Sequence, residues 1–225
     1  MRNNKILMLS AIKKFVIGMT VLGAFLFLCG GSLGYWNAWL YLGTFAVCIF
    51  FFGVYLYTTD KELLQKRLNS KEKEKEQDVY TFSAGISLFS MPVISGLDYR
   101  YDWSDVPFSA VIIALVIMLA GFALFVITLM YNRFASRTVE IQNEQKVIDT
   151  GVYAIIRHPM YTAAITMFFA SPIVLGSWWA LIPMLIFLVG IILRIRNEEK
   201  VLCGGLEGYV DYMRKVRYRL IPFIW

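Results

Sequence analysis

The sequence predicts an all-α fold, a polytopic membrane helix bundle of five to six transmembrane segments. Apolar residues make up 58% of the 225 residues and charged residues only 17%, against roughly 45–50% and about 25% in soluble globular domains. The apolar residues form long runs, and most charged residues lie in the short segments between them. A soluble enzyme, a disordered chain and a disulfide scaffold are therefore excluded.

Four apolar runs in the first part of the chain approach or exceed the roughly 20 residues that a spanning helix needs. They cover residues 15–33, 36–57, 82–97 and 106–131. Only Gly34 and Tyr35 separate the first two runs, which predicts a tight antiparallel hairpin. The third run is short and contains Pro92, which is expected to kink or end its helix because proline lacks a backbone N–H donor.

The last apolar stretch, residues 160–193, is too long for a single span. Breaks at Pro172 and at Gly176-Ser177 predict two helices in a hairpin. Pro172 and Pro183 leave open a second arrangement, in which one half of the hairpin is re-entrant.

The basic residues predict the orientation of the bundle. All of the 22 Lys and Arg except Arg100 lie before the first span, between spans two and three, between spans four and five, or after the last span. Positive residues are retained on the cytoplasmic side, so these segments and both termini are predicted to be cytoplasmic. One of these segments, residues 71–76, alternates Lys and Glu and predicts a solvated helix.

Metal and nucleic acid are not expected as partners. The chain has one histidine and no Cys-x-x-Cys or His-x-x-x-His spacing, which is unlike a metal site. Membrane orientation accounts for the formal net charge of +6, so the expected partners are membrane lipids and a lipophilic or lipidated substrate.

A first candidate site lies in the polar stretch 140–161. Pro159 suits the first turn of a helix and His158 lies near its cap. The free N–H groups and positive dipole of a helix start favour an anionic or hydroxyl-rich ligand. The alternative is purely structural: Arg157 and His158 mark the membrane interface and Pro159 begins a helix.

A second candidate cluster follows the last span. Arg194 and Glu198 are four residues apart and share one helix face. An arginine one turn inside the membrane boundary is costly unless it meets a partner or ligand; the alternative is snorkelling with an intrahelical ion pair. The predicted topology brings His158 and Arg194 to the cytoplasmic face, where the C-terminal half would form one pocket open to both water and lipid. Such a pocket suits a water-soluble cofactor that meets a membrane-dissolved substrate.

The motifs in these clusters resemble the isoprenylcysteine carboxyl methyltransferase family, in particular its bacterial and archaeal members. The similarity rests on Gly96 to Arg100, Gly151-Val152-Tyr153, Arg157 to Tyr161, Arg194 with Glu198-Glu199, Gly208-Tyr209 and Tyr218 to Pro222. It extends from residue 96 to the end, which predicts N-terminal transmembrane helices with a charged cytoplasmic loop in residues 1–95 and a methyltransferase core in residues 96–225.

The resemblance implies an integral-membrane enzyme, in a prokaryotic inner membrane, that transfers a methyl group from S-adenosyl-L-methionine to a lipophilic carboxylate. It assigns the methyl acceptor to Arg194 as the catalytic residue. The residues it assigns to the cofactor are Gln145, Lys146, Val147, Ile148, Tyr153, His158, Pro159, Met160, Tyr161 and Glu198.

Three alternatives remain at this point. A phospholipid or other amine N-methyltransferase would need a base, for which Glu198 or Glu199 is available. A membrane sterol-reductase-like enzyme would bind NADPH and would need cations such as Arg157 and Arg196 for its extra phosphate. A small transporter is disfavoured because the early spans carry almost no ionisable groups and show no inverted repeat.

Overall fold

A computed structural model describes residues 2–68, 78–132, 134 and 145–225. Every regular element in these ranges is helical, which confirms the predicted all-α fold. The helices are α1 (Arg2–Gly30), α2 (Trp36–Thr59), α3 (Lys61–Leu68), α4 (Asp78–Tyr101), α5 (Phe108–Tyr131), α6 (Pro159–Val174), α7 (Leu181–Gly205) and α8 (Tyr209–Lys215), with a 3₁₀ turn at Gly151–Ala154 before α6. The solvated helix predicted at residues 71–76 and the first part of the polar stretch, 140–144, lie outside the described residues.

Within the described ranges, three helices are long and apolar enough to cross a membrane: Asn4–Gly30 within α1, and the whole of α2 and α5. Most of their side chains are not buried by other helices, and such an apolar outer surface is stable against lipid rather than water. α6 is apolar but shorter. These features are those of a membrane helix bundle.

The bundle is built from close helix pairs. α5 packs along α6, while α4 packs against both α1 and α7. Gly96 permits one of these close approaches, because a Cβ there would lie 2.9 Å from the carbonyl oxygen of Leu26 in α1. The predicted division at residue 95 falls inside α4 and stays a prediction.

Two details of the predicted spans were wrong. α1 begins at Arg2 and ends at Gly30, whereas the apolar run suggested residues 15–33. The polar residues before that run are mostly compatible with a helix, so hydropathy does not mark its start. Pro92 was expected to kink or end its helix, and the end is wrong because α4 continues to Tyr101; packing of α4 against α1 and α7 offsets the loss of one backbone hydrogen bond.

The predicted hairpin at the end of the chain is confirmed, but its break lies later than Pro172. α6 runs through Pro172 to Val174. Because Pro172 lies in the last turn of the helix, its missing backbone N–H costs only one hydrogen bond of that turn. Gly176 then takes a positive φ of 78°, which glycine adopts without strain. Ser177 caps the following turn by accepting a hydrogen bond from the Ala180 N–H at 3.1 Å.

Three connections meet at one end of the bundle. The Tyr35 hydroxyl, between α1 and α2, donates to the carbonyl of Ser95 near the end of α4 at 3.2 Å. Asp98 accepts hydrogen bonds from Ser104, at 2.7 Å, and from Ser177 in the α6–α7 connection. α3 follows α2 and α8 follows α7 at the opposite end of the bundle. Which end is cytoplasmic stays a prediction.

Candidate active site

The start of α6 is held in place by the C-terminal tail. His158 is the residue before the helix and Pro159 is its first residue. The backbone N–H groups of Arg157 and His158 donate to the carbonyls of Tyr218 and Arg219, both at 2.9 Å. The C-terminal tail therefore fixes the segment that leads into α6. The tail also closes this side of the site.

Glu199 joins the three segments that surround the site. Its Oε1 accepts a hydrogen bond from Arg157 Nε at 2.8 Å and lies 3.1 Å from His158 Nε2, and its Oε2 accepts from Arg219 Nε at 2.8 Å. Burial alone would raise the pKa of this carboxyl, but the hydrogen bonds and charge of His158, Arg219 and Arg157 outweigh it and lower the pKa to about 2. Glu199 is thus a carboxylate committed to binding cations of the protein.

Tyr161 links Arg194 to Glu198. Arg194 Nε donates to the Tyr161 hydroxyl at 2.8 Å, and this hydroxyl donates to Glu198 Oε2 at 2.5 Å. The guanidinium also lies over the Tyr80 ring, 4.4 Å from its centroid, a favourable cation–π geometry. Arg194 is only 5% exposed, so the snorkelling interpretation, which needs its head group in solvent, does not describe it.

Tyr153 forms another wall of the site. Its hydroxyl accepts a hydrogen bond from Asn132 Nδ2 at 3.1 Å, and its carbonyl accepts one from the Tyr212 hydroxyl at 2.8 Å. Burial raises the pKa of Tyr153 to about 12, so its ring carries a neutral hydroxyl. Gly151 makes this turn possible: its φ is 59°, and a Cβ there would lie 2.3 Å from the Tyr131 ring.

These groups line one cavity of about 100 Å³. It contains Arg194 and nine of the ten residues predicted for the cofactor: Gln145, Lys146, Val147, Ile148, Tyr153, His158, Met160, Tyr161 and Glu198. Pro159 is the exception, because as the first residue of α6 it is buried behind the wall. The convergence of His158 and Arg194 on one pocket is therefore confirmed, while the role of each residue stays a prediction.

The cavity also contains residues that the site prediction left out. They are Asn132, Phe134, Arg157, Leu202, Leu206, Tyr209 and Tyr212. Arg157 and Tyr209 belong to motifs on which the family resemblance rests, so the sequence contained a reason to include them. Asn132 and Phe134 follow α5 in a segment without a recognisable motif.

Phospholipid methyltransferases provide the comparison that bears on this site. Their family model matches residues 109–204, just under half of the chain, and this range contains Arg194 and all ten predicted cofactor residues. The match indicates a membrane methyltransferase. The phospholipid methyltransferase family belongs to the same group of membrane methyltransferases as the isoprenylcysteine carboxyl methyltransferases. The match therefore confirms the resemblance at the level of this group. No curated protein matches the chain significantly.

S-adenosylmethionine is the general methyl donor of this methyltransferase family, and the side chains of the cavity fit its chemistry. Glu198 is a carboxylate that suits an ammonium or ribose hydroxyl groups. The faces of Tyr153 and Tyr161 suit a sulfonium cation. His158 has its Nε2 at Glu199, so any contact with the donor's carboxylate would use Nδ1.

Proposed function

We propose that this membrane methyltransferase transfers the methyl group of S-adenosylmethionine to the carboxylate of a lipophilic acceptor at the cytoplasmic face of the membrane. The observation that carries the proposal is the buried Arg194 on the wall of the cavity. A buried guanidinium is a strong and geometrically defined site for a carboxylate.

The reaction asks little of the protein beyond alignment. S-adenosylmethionine supplies a methyl group already activated by a sulfonium, so an acceptor carboxylate oxygen forms the new C–O bond as the C–S bond breaks and a neutral thioether remains. A carboxylate acceptor is its own nucleophile and loses no proton. Arg194, fixed at Nε by Tyr161, holds that carboxylate in line with the methyl group, and such positioning can lower a barrier by several kcal/mol.

Residues 145–148, Tyr153, His158, Met160, Tyr161 and Glu198 would hold the methyl donor. Glu198 binds its ammonium or ribose hydroxyls, and the tyrosine rings lie against its sulfonium or adenine. The shared Tyr161 hydroxyl ties the donor side of the site, at Glu198, to the acceptor side, at Arg194.

Amine methylation is the second candidate, and the name of the matched family, phospholipid methyltransferase, favours it. An ammonium acceptor must lose a proton before it attacks. Glu199 is a poor base for this step because three cationic or potentially cationic side chains surround it and its pKa is about 2. Glu198 would have to serve, although it already accepts the Tyr161 hydroxyl. Carboxylate methylation avoids this requirement.

Two measurements test the proposal in sequence. Calorimetry on the detergent-purified protein should detect binding of S-adenosylmethionine or S-adenosylhomocysteine and none of NADPH; binding of NADPH alone would favour a reductase. Incubation with methyl-tritiated donor and extracted membrane lipids should then label the lipid fraction. Alkali releases the label of a methyl ester as volatile methanol, whereas an N-methyl label stays bound to nitrogen in a non-volatile product and would select the amine reaction.

A further inference from the structure

Residues 219–225 of the C-terminal tail form a closed loop, the tail loop. The backbone N–H groups of Arg219, Leu220 and Ile221 all donate to the backbone oxygen of Trp225, at 2.9, 2.9 and 3.1 Å. The Trp225 N–H in turn donates to the Ile221 carbonyl at 3.1 Å. These hydrogen bonds fix the base of the loop, so residues 222–224 form its tip.

Phe223 lies at this tip in an unfavourable conformation. Its φ is 66°, in the left-handed region that glycine adopts freely and that strains a bulky side chain. Phe223 is also 87% exposed, and its neighbour Ile224 is 76% exposed. The Tyr218 ring lies against it with centroids 5.3 Å apart but leaves most of the Phe223 side chain uncovered. Strained residues cluster at functional sites, and burial of this tip by a partner outside the chain would account for both features.

The tail loop lies beside the end of the apolar part of the bundle. Leu220 and Trp225 belong to one apolar cluster with Ile191 and Ile195 of α7. The outer face of α7 carries exposed apolar residues up to this level, where its sequence becomes charged. The Leu220 carbonyl also accepts a hydrogen bond from Thr162 Oγ1, in the first turn of α6, at 2.8 Å. In a membrane helix bundle, this level is the boundary between the hydrocarbon core and the lipid head groups.

The exposed residues in and before the tail loop match such a boundary. Ile221, Phe223 and Ile224 are apolar and exposed. Two exposed cations, Lys215 and Arg217, precede them in the chain, and Arg217 lies at most about 14 Å from Ile221 because few residues separate the two. Apolar side chains with neighbouring cations are typical of segments that lie in the head-group region, where anionic lipids attract Lys and Arg.

Arg219 connects the tail loop to the candidate active site. Its backbone carbonyl accepts a hydrogen bond from the His158 N–H at 2.9 Å, and its Nε donates to Glu199 Oε2 at 2.8 Å. Its guanidinium lies over the Trp225 ring, 5.2 Å from the centroid. Because His158 lines the cavity, a displacement of the tail loop would be transmitted to the cavity wall through Arg219.

We propose that the tail loop is an interfacial anchor, whose tip inserts among the lipid head groups of the membrane that surrounds the bundle. Ile221, Phe223 and Ile224 bury apolar surface there, and Lys215 and Arg217 bind anionic head groups beside them. The lipid contact keeps Arg219 in place, so the segment that leads into α6 stays closed against the tail. This inference concerns the partner of the tail and holds for either class of methyl acceptor.

A fluorescent label tests the depth of the tip. Cys29, Cys48 and Cys203 are replaced by alanine, and Ile224→Cys carries the environment-sensitive NBD group in nanodiscs of phosphatidylcholine and phosphatidylglycerol. Lipids with a doxyl group should quench this label strongly. Aqueous iodide should quench it several-fold less than the same label on a retained Cys203, an exposed residue near the end of α7. Equal iodide quenching at the two positions, without quenching by the doxyl lipids, would overturn the proposal.

Two substitutions of Phe223 separate an anchor from a structural residue. Phe223→Gly and Phe223→Asn remove the ring and introduce residues that tolerate a positive φ. Either should raise iodide quenching at position 224 several-fold, and Phe223→Gly should not lower the transition temperature in detergent because it relieves strain. Unchanged quenching in both variants, or a lower transition temperature in Phe223→Gly, would contradict the anchor.

The cations are tested by lipid composition. Iodide quenching at position 224 should be weaker in nanodiscs with phosphatidylglycerol than in phosphatidylcholine alone. The double variant Lys215→Gln, Arg217→Gln should lose this difference. Arg100→Gln is the matched control, because Arg100 is an exposed cation near the other end of the bundle, and it should keep the difference. A difference that survives in the double variant would remove the two cations from the anchor.

Hydrogen exchange tests the connection to the site without any ligand. The N–H groups of Arg157 and His158 donate to the Tyr218 and Arg219 carbonyls, so their exchange reports directly on the position of the tail. In nanodiscs, Phe223→Gly should accelerate their exchange about tenfold, the lower end of what burial of one phenylalanine side chain contributes, and should leave the amides of α5 unchanged. Unchanged exchange of both amides in a variant whose tip has become accessible to iodide would overturn the link between anchor and site. Because no cofactor or acceptor takes part, failure of the proposed function would leave these outcomes unaffected.

Discussion

Replacement of Arg194 by alanine tests whether this residue binds the methyl acceptor and not the cofactor. Arg194 is 5% exposed, donates to the Tyr161 hydroxyl at 2.8 Å and lies over the Tyr80 ring. If its guanidinium holds the acceptor carboxylate while the methyl group is transferred, its loss should lower kcat by roughly 10²–10³, the effect of removing one donor that stabilises reacting charge. The donor product, S-adenosylhomocysteine, should still bind with an affinity close to that of the parent protein.

The assays are calorimetry with S-adenosylhomocysteine and single-turnover methyl transfer from the tritiated donor to a lipid extract. Tyr161→Phe is the matched control, because it keeps the ring and removes only the hydroxyl that links Arg194 to Glu198. If Arg194→Ala bound no cofactor product while Tyr161→Phe bound it normally, Arg194 would belong to the cofactor site and the assignment to the acceptor would be refuted. Loss of binding in both variants would instead indicate that each change displaces Glu198, which Tyr161 links to Arg194, and that this displacement abolishes cofactor binding.

Four further predictions concern Glu198, Glu199 and Gly151. Glu198→Ala should weaken S-adenosylhomocysteine binding about 10- to 150-fold, the loss of one charge-assisted hydrogen bond, and calorimetry that finds no change would remove Glu198 from the cofactor site. Glu199→Gln should lower the free energy of unfolding by about 3–5 kcal/mol, because it leaves the buried Arg157 without its counter-charge; an unaltered thermal transition would contradict this. For the parent protein, a pKa lowered from 4.5 to about 2 means that the contribution of Glu199 is complete above about pH 4.5 and is lost as the pH falls towards 2, whereas Glu199→Gln should lack this component of the acid dependence. Gly151→Ala should destabilise the 3₁₀ turn by about 1–3 kcal/mol through its positive φ and its clash with Tyr131, measurable as a lower transition temperature.

The parts of the fold that follow from hydropathy were predictable from the sequence. Two hairpins, one at Gly34-Tyr35 and one at Gly176-Ser177, follow from interruptions in apolar runs, and the structure contains both. The effect of Pro92 was not predictable, since a proline interrupts an isolated helix and only the packing of α4 between two others decides that the helix continues. The tendency of proline to interrupt a helix was overridden by the contacts of α4 with α1 and α7.

The candidate site was predictable where its residues belong to motifs, and less so where they act through distant partners. His158 and Tyr161 lie three residues apart in one motif, so their position at the start of α6 was predictable. The contact of Arg157 with the carbonyls of Val216 and Arg217, at 2.8 and 2.9 Å, joins segments about sixty residues apart. No spacing rule relates such residues, and the role of the tail in closing the site emerges only from the fold.

The adjacent carboxylates Glu198 and Glu199 explain how one helix serves both structure and chemistry. Consecutive residues on an α-helix point about 100° apart, so α7 directs Glu198 to the cavity and Glu199 to the tail and the segment before α6. Because Glu199 is neutralised by cations of the protein, the charge it would otherwise add beside the site is removed. Among the described residues of the cavity wall, Glu198 is then the carboxylate that faces the positive Arg194 across the Tyr161 hydroxyl. A site with this balance suits a cationic donor on one side and an anionic acceptor on the other, which is the arrangement that methyl transfer to a carboxylate requires.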